Sequence, residues 1–314
     1  MLAYIVRRLL NVVLTVLVVA TIVFFIMEIL PGDPTGIILG EEASPERMAE
    51  LREHLGLDAP MAVRFAGWIT GLARGDLGVS LFYRRDVTTL IVNRLEPTIL
   101  LTLLATIIAA VLGVTLGTLA GLFPGSRIDL GAMVLALIGV SMPNFWLGLN
   151  LILLFSLYLA LLPTSGYDSV GTVGIQALSY LVLPSIALGM SHAGIIARMT
   201  RSNIVEVMNQ DYVRTARSKG LSESVTIGKH ALRNAMIPVA STIGVSIALM
   251  LGGSVIVEAV FALPGLGSLV VHSIQSRDLP VIQGVLLLVA TFTALINLVV
   301  DILYTLLDPR IAYS

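Results

Sequence analysis

An all-α, polytopic membrane protein with six transmembrane helices is the fold class this sequence predicts, and three observations predict it. Hydrophobic residues make up 56% of the chain and charged residues 12%, against about 25% charged in soluble domains, and the mean hydropathy is +0.94. Six apolar runs are long enough to cross a hydrocarbon core, which takes about 20 helical residues. The third observation is where the charge lies. The net is only −1, yet seven of the nineteen Lys and Arg residues fall between Arg198 and Arg233, in a stretch flanked by apolar runs. Helices rather than a barrel follow because the runs are continuous, without the alternation of barrel strands. The chain has no cysteine, which excludes disulfides and thiolate chemistry, and His54, His192, His230 and His272 lack metal-ligand spacing. No cofactor, metal or nucleic acid is expected; the surroundings are a lipid bilayer.

The first span, Leu9–Leu30, follows Arg7 and Arg8 as a secretory signal would. Its apolar run exceeds the 7–15 residues of a signal core and ends in Glu28-Ile29-Leu30-Pro31-Gly32 without a small-residue cleavage site, so it is read as an anchor. Residues 31–97 form a polar, largely helical segment. Within it Ser44-Pro45-Glu46 supplies an N-cap, a first-turn proline and a dipole-compensating acid, with Met48, Leu51 and Leu55 on one face and Gly56 as the stop. A second short helix around Ala62–Ala73 carries Trp68 and Leu72. This segment is expected to cap the bundle, with contact to a soluble partner as the sharper alternative.

The second span, Thr98–Phe123, carries Gly113, Gly117 and Gly121, a small-residue stripe that lets another helix approach closely. Static packing is the first expectation for it and a sliding interface the second. The third run, Leu130–Leu162, would measure about 50 Å as a straight helix, too long for a core of about 30 Å. It is expected to tilt, bend or leave the bilayer, and Pro143, which cannot donate to Gly139, supplies a cause. Tyr180–Ile196, Met236–Val257 and Val281–Leu307 complete the set. The expected domains are 1–94, the first span with its loop, and 95–307, the core carrying a cytoplasmic loop at 198–235.

Orientation follows from Lys and Arg. With both termini cytoplasmic, eleven basic residues lie inside (Arg7, Arg8, Arg127, Arg198, Arg201, Arg214, Arg217, Lys219, Lys229, Arg233 and Arg310) and eight outside, giving net charges of +5 and −6. Arg214, Arg217 and Lys219 lie within six residues, and each would cost about 2.5–3.5 kcal/mol at a bilayer centre, so their segment belongs in the cytosol. Tyr212, Val213 and Ala216 fall on one side of a short amphipathic helix that Gly220 stops. Ser222 then offers an N-cap for a second helix through Val225, Ile227 and Leu232, with Pro238 at its junction with the fifth span. Such a unit, fixed at both ends to spans, can pass a push from a cytosolic partner to them. Charge alone fits a solvated basic loop that merely sets topology.

The segment Gln210-Asp211-Tyr212-Val213-Arg214-Thr215-Ala216-Arg217-Ser218-Lys219-Gly220, followed by Lys229-His230-Ala231-Leu232-Arg233-Asn234-Ala235-Met236-Ile237-Pro238, resembles the EAA loop of binding-protein-dependent ABC importer permeases of the dipeptide, oligopeptide, nickel and glutathione branch. Arg214-Thr215-Ala216 stands for the Glu-Ala-Ala triplet and Gly220 for its glycine, while Arg233 occupies the proline place, with Pro238 five residues later. Leu30-Pro31-Gly32-Asp33-Pro34, Gly75-Asp76-Leu77-Gly78-Val79-Ser80, Gly252-Gly253-Ser254-Val255-Ile256-Val257-Glu258, Pro264-Gly265-Leu266-Gly267 and Arg277-Asp278-Leu279-Pro280 resemble the same branch in order. The resemblance implies a type I ABC importer permease fold and a half-channel in a bacterial or archaeal cytoplasmic membrane. It implies pairing with a second homologous permease, two cytosolic ABC ATPases and an extracytoplasmic solute-binding protein. Asp211, Tyr212, Arg214, Thr215, Ala216, Arg217 and Gly220 then form the ATPase-coupling loop, and the cargo is a di- or oligopeptide or glutathione, with a nickel chelate as the alternative.

The sequence agrees with a membrane part only: it has no phosphate-cradling Gly-x-x-x-x-Gly-Lys-Ser/Thr, and Lys219 and Lys229 lie in no such loop. No catalytic set is expected. Ser191-His192 is the best support for an intramembrane hydrolase, but neighbours in sequence point to different helix faces and the Gly-x-Ser-x-Gly elbow is missing. Glu28, Glu258 and Asp301 are the best support for an ion-coupled carrier, though carboxylates at span ends are ordinarily solvated or paired. Asn144, Asn150 and Gln176 are candidates for the pathway lining or for polar glue between helices.

Overall fold

The computed structural model describes residues 2–29, 34–39, 44–54 and 56–307, which are helical apart from loops and one isolated bridge between Val79 and Asp86. Leu30, Leu55 and Arg310 lie outside the described residues. Helix α1 (Leu2–Ile29) is the first span, followed by the short α2 (Pro34–Leu39) and by α3 (Pro45–His54). Ser44 caps α3 through Arg47 N at 3.4 Å, and Gly56, at a φ of +65°, ends it as expected. Helix α4 (Met61–Ala73) packs on the end of α1: the Phe24 ring lies 5.1 Å from Phe65 and 5.6 Å from Trp68, and Arg64 pairs with Glu28 at 2.7 Å.

Helix α5 (Val87–Leu122) starts well before Thr98. Arg94, Glu96 and Pro97 interrupt the apolar run without ending the helix. Glu96 is satisfied at the bundle end, accepting from Tyr167 Oη at 2.8 Å, Ser169 Oγ at 2.7 Å and Val170 N at 2.8 Å. Burial, then the Glu96 carboxylate, hold the Tyr167 phenol above its ordinary range, so it stays a donor.

The third run is broken. Helix α6 (Arg127–Ser141) and α7 (Asn144–Leu151, continued by a π-turn over Ile152–Tyr158) meet at an angle of 101°. Met142, in the extended conformation favoured before proline, donates its N–H to Ile138 O at 3.1 Å and closes α6, while Pro143 opens α7. Helix α8 (Val170–Val173), a 3₁₀ turn and α9 (Ser179–Met208) follow. Helix α9 runs about three turns beyond Ile196 and carries Arg198 and Arg201.

After α10 (Asp211–Ser218), the sequence-based expectation of a separate second helix joined to the fifth span at Pro238 needs correction. Helix α11 (Glu223–Val225), a π-turn over Thr226–Leu232 and α12 (Arg233–Val260) form one unbroken helical run. Pro238 sits inside α12, where its missing N–H forfeits one bond, while Ala235 and Val239 on either side are buried. Ser222 occupies the cap position without a side-chain cap bond. Helix α13 (Leu266–Gln275) lies across the turn into α14 (Leu279–Leu307), the last span. Counting the bent pair as one span, six segments among the described residues are long and apolar enough to cross a membrane.

Helix α9 is the hub, packed against α5, α6 and α12, and α14 joins α12 to α1. The glycine stripe explains the closest of these contacts. A Cβ on Gly113 would lie 2.7 Å from Ile196 Cβ and 2.8 Å from Ala193 O, one on Gly117 would strike Ala197 O and Thr200, and one on Gly121 would lie 2.8 Å from Ile204 Cβ. Gly189 on α9 approaches Ala105 O in the same way, while Gly139 on α6 meets Met190 O of α9. Buried Leu101, Ala105, Leu188, Ile196 and Met250 fill the core around this seam. The stripe on α5 packs directly against α9.

Candidate functional site

The chemistry of α10 begins with its two faces. Val213 and Ala216 are buried, whereas Asp211, Tyr212, Arg214, Thr215, Arg217 and Lys219 are exposed. The predicted apolar side is therefore narrower than Tyr212, Val213 and Ala216 together: the Tyr212 ring is exposed and its hydroxyl accepts from Asn234 Nδ2 at 3.0 Å. The buried face rests on the π-turn that leads into α12. Basic side chains point outward from a helix whose back is glued to the start of a span.

Gly220 ends the helix as expected, with a reason the structure makes explicit. Its φ is +78°, its N–H donates to Arg217 O at 2.9 Å, and Leu221 N donates to Ala216 O at 3.4 Å, the paired bonds of a Schellman cap. Across this turn Arg217 Nη2 lies 2.9 Å from Glu223, though both side chains are exposed and the pair is worth at most about 1 kcal/mol. Arg214 and Asp211 are 3.5 Å apart on the surface. Thr215 Oγ1 back-bonds to Asp211 O at 2.9 Å. The arrangement is an exposed, basic helix joined to α9 by two residues and to the α12 run by a glycine turn.

About two turns before the end of α9 lies an ion pair that the sequence reading missed. Arg201 of α9 grips Asp129 of α6 with Nε at 2.6 Å and Nη2 at 2.7 Å, and Gly125 N donates to the same carboxylate at 2.9 Å. Asp129 is buried there, and its own N–H donates to Ser126 Oγ at 3.2 Å. The Ser126-x-x-Asp129 spacing is a readable helix-start signal, but nothing in the sequence points Asp129 across to Arg201.

The three acids that favoured an ion-coupled carrier are all accounted for. Glu28 pairs with Arg64 at 2.7 Å and Asp301 with Arg8 at 2.8 Å. Glu258 is fully buried, accepting from Thr98 Oγ1 at 2.7 Å, Ser268 N at 2.9 Å and Ser254 Oγ at 3.3 Å. It closes the first turn of α13, and the Gly265 and Gly267 beside it leave its carboxylate room that a Cβ would fill. Among the described residues His192 Nδ1 is buried without a hydrogen-bond partner. Asn150 donates to Trp146 O of its own helix at 2.7 Å and is exposed, as is Gln176. Among the described residues neither bonds to another helix.

Two family models cover most of the chain: "Binding-protein-dependent transport system inner membrane component" over residues 113–313 and its N-terminal counterpart over residues 1–102. A putative peptide transport system permease protein of Brucella suis biovar 1 is 44% identical over 314 residues, all of both chains. A glutathione transport system permease protein, GsiC, of Salmonella typhi matches at 44% over the same full length. Among solved structures, the inward-facing MetNI methionine ABC transporter matches with a TM-score of 0.57 at 19% identity, covering 70% of this chain and 96% of that one. At that identity the likeness concerns the fold.

Proposed function

We propose, from the premise that this chain belongs to the family of binding-protein-dependent transport system inner membrane components, that it forms half of the pathway of an ATP-driven peptide importer. Permease function is the family's. The finer reading supplies the motor, the orientation and the cargo. The observation that carries it is α10: an exposed basic helix between two spans, rigidly capped at Gly220 and backed onto the helix that becomes the fifth span. A cytosolic ATPase that grips α10 and closes on ATP moves the stem of α9 and the run into α12 together. The Asp129–Arg201 pair then carries the movement to α6 and the 101° bend. ATP must favour one permease state over the other, since equal affinity for both shifts nothing.

In this reading Asp211, Tyr212, Arg214, Thr215, Ala216, Arg217 and Gly220 form the coupling loop, both termini are cytoplasmic, and the segment at 31–97 lies on the outer side. The expected partners are a second homologous permease, two ABC ATPases and a solute-binding protein. The relatives named for peptide and glutathione transport favour a short peptide as cargo. An ion-coupled carrier has no comparable support, because its three candidate acids already hold structural partners. Reconstituted with its companions in proteoliposomes, the chain is expected to drive ATP-dependent peptide uptake. Arg214→Glu with Arg217→Glu, or Gly220→Pro, should abolish uptake while leaving membrane insertion intact. Unchanged uptake by the charge-reversed protein would remove the coupling assignment.

A further inference from the structure

At the end of the bundle opposite α10, residues 74–86 fold back into a tight hairpin. Val79 bridges Asp86, Ser80 N donates to Arg85 O at 2.9 Å, and Arg84 N donates to Ser80 O at 3.1 Å. Asp278, fully buried between α13 and α14, clamps this hairpin from the neighbouring loop. Its carboxylate accepts from Ser80 Oγ, from Leu81 N at 3.1 Å and from Phe82 N at 3.3 Å. Tyr83 packs against the buried cluster that includes Val87, Leu266 and Val281, residues at the starts of α5, α13 and α14. The hairpin therefore sits over the ends of these helices.

What it presents is unusual. Phe82, edge-on to Tyr83 at 5.1 Å, remains 60% exposed. Arg84 and Arg277, one on each of the clamped loops, have φ of +52° and +51°. That left-handed backbone is uncommon outside glycine and is retained where surrounding structure enforces it, often at functional positions. Arg74, Arg84, Arg85 and Arg277 are all exposed, and none forms an ion pair among the described residues. The exposed acids beside them are Asp86 and Asp76, and Asp76 already accepts from Gly78 N at 2.8 Å.

We infer that this clamped hairpin is a docking surface for an acidic face of the extracytoplasmic solute-binding protein, an inference that rests on the importer reading above. Unpaired guanidiniums beside an exposed aromatic are the side-chain types that dominate protein interfaces, and they call for carboxylates opposite. Pre-set geometry suits a folded protein surface, whereas mobile lipid headgroups need no such clamp. Charge of this kind steers association and makes it salt-dependent.

The test uses the assembled transporter in nanodiscs and the solute-binding protein purified from the same cells, titrated by interferometry at low and at physiological salt. Arg84→Ser with Arg277→Ser is expected to raise Kd at least about tenfold and to flatten its salt dependence. Arg84→Gly with Arg277→Gly relieves the left-handed backbone, so it should weaken binding equally while melting no lower than the parent, which separates lost contact from lost fold. Unchanged Kd and salt dependence in both variants would overturn the docking surface. So would a loss of affinity seen only in nanodiscs of anionic lipid, which would assign the arginines to headgroups. Failure of the unsubstituted transporter to bind the protein at either salt would instead remove the importer reading itself.

Discussion

Gly117 and Gly220 answer to different physics, and substitution separates them. At Gly117 the backbone is ordinary helix, but Ala197 O and Thr200 stand where a Cβ would go, so the requirement is space. At Gly220 nothing lies within 4 Å of an added Cβ, and the requirement is the +78° φ of the Schellman turn. Gly117→Ala is expected to destabilise the detergent-solubilised protein by about 1–3 kcal/mol, since neither a carbonyl nor a branched side chain yields easily. Gly131→Ala on α6, with open space around it and an unstrained helical backbone, should leave the melting temperature unchanged or raise it slightly. Equal melting of the two variants would show that the α5–α9 seam is looser than the structure makes it. The seam was legible in the spacing of Gly113, Gly117 and Gly121; its partner, α9, was not, because spacing on one helix cannot name the other.

At the scale of elements, the bent third span and the long α9 meet at the Asp129–Arg201 pair, about two turns before α9 ends. Removing Arg201 leaves a buried carboxylate with Gly125 N and little else. Arg201→Ala should therefore cost about 2–3 kcal/mol, less than a fully enclosed pair because the Arg201 side chain stays 34% exposed. Arg201→Lys should recover part of that, since one ammonium cannot reproduce the two-pronged contact. Chemical melts of the three proteins decide this, and no loss in Arg201→Ala would mean the pair is merely superficial. The break at Pro143 was legible because an over-long apolar run contained a residue that cannot donate. The start of the fifth span was not, because Lys229 and Arg233 carry the polarity of a cytosolic segment while the backbone runs on helically beneath them. The early start of α5 was hidden likewise by Arg94, Glu96 and Pro97. A charged residue disqualifies a lipid-buried turn, but not a helix end with hydrogen-bond partners.

For the whole molecule, hydropathy and charge together gave the class and number of spans, and the motif blocks gave the family. Contacts between distant segments came only with the structure: Glu258 under α13, Glu96 under the loop at 167–170, Asp278 under the hairpin at 74–86. Glu258, which sequence alone makes a candidate for ion transport, holds a helix start against the bundle, as Glu96 and Asp278 hold loops. The scaffold they rigidify leaves α10 projecting at the other end. Because the chain has no cysteine, Thr215→Cys introduces a single thiol on that helix, and its reaction with a membrane-impermeant maleimide is the most direct probe of the mechanism. The thiol should label in inside-out but not right-side-out vesicles, and assembly with the ATPase subunits should protect it. Labelling from the outside, or equal labelling with and without the ATPases, would contradict entry of the power stroke at α10.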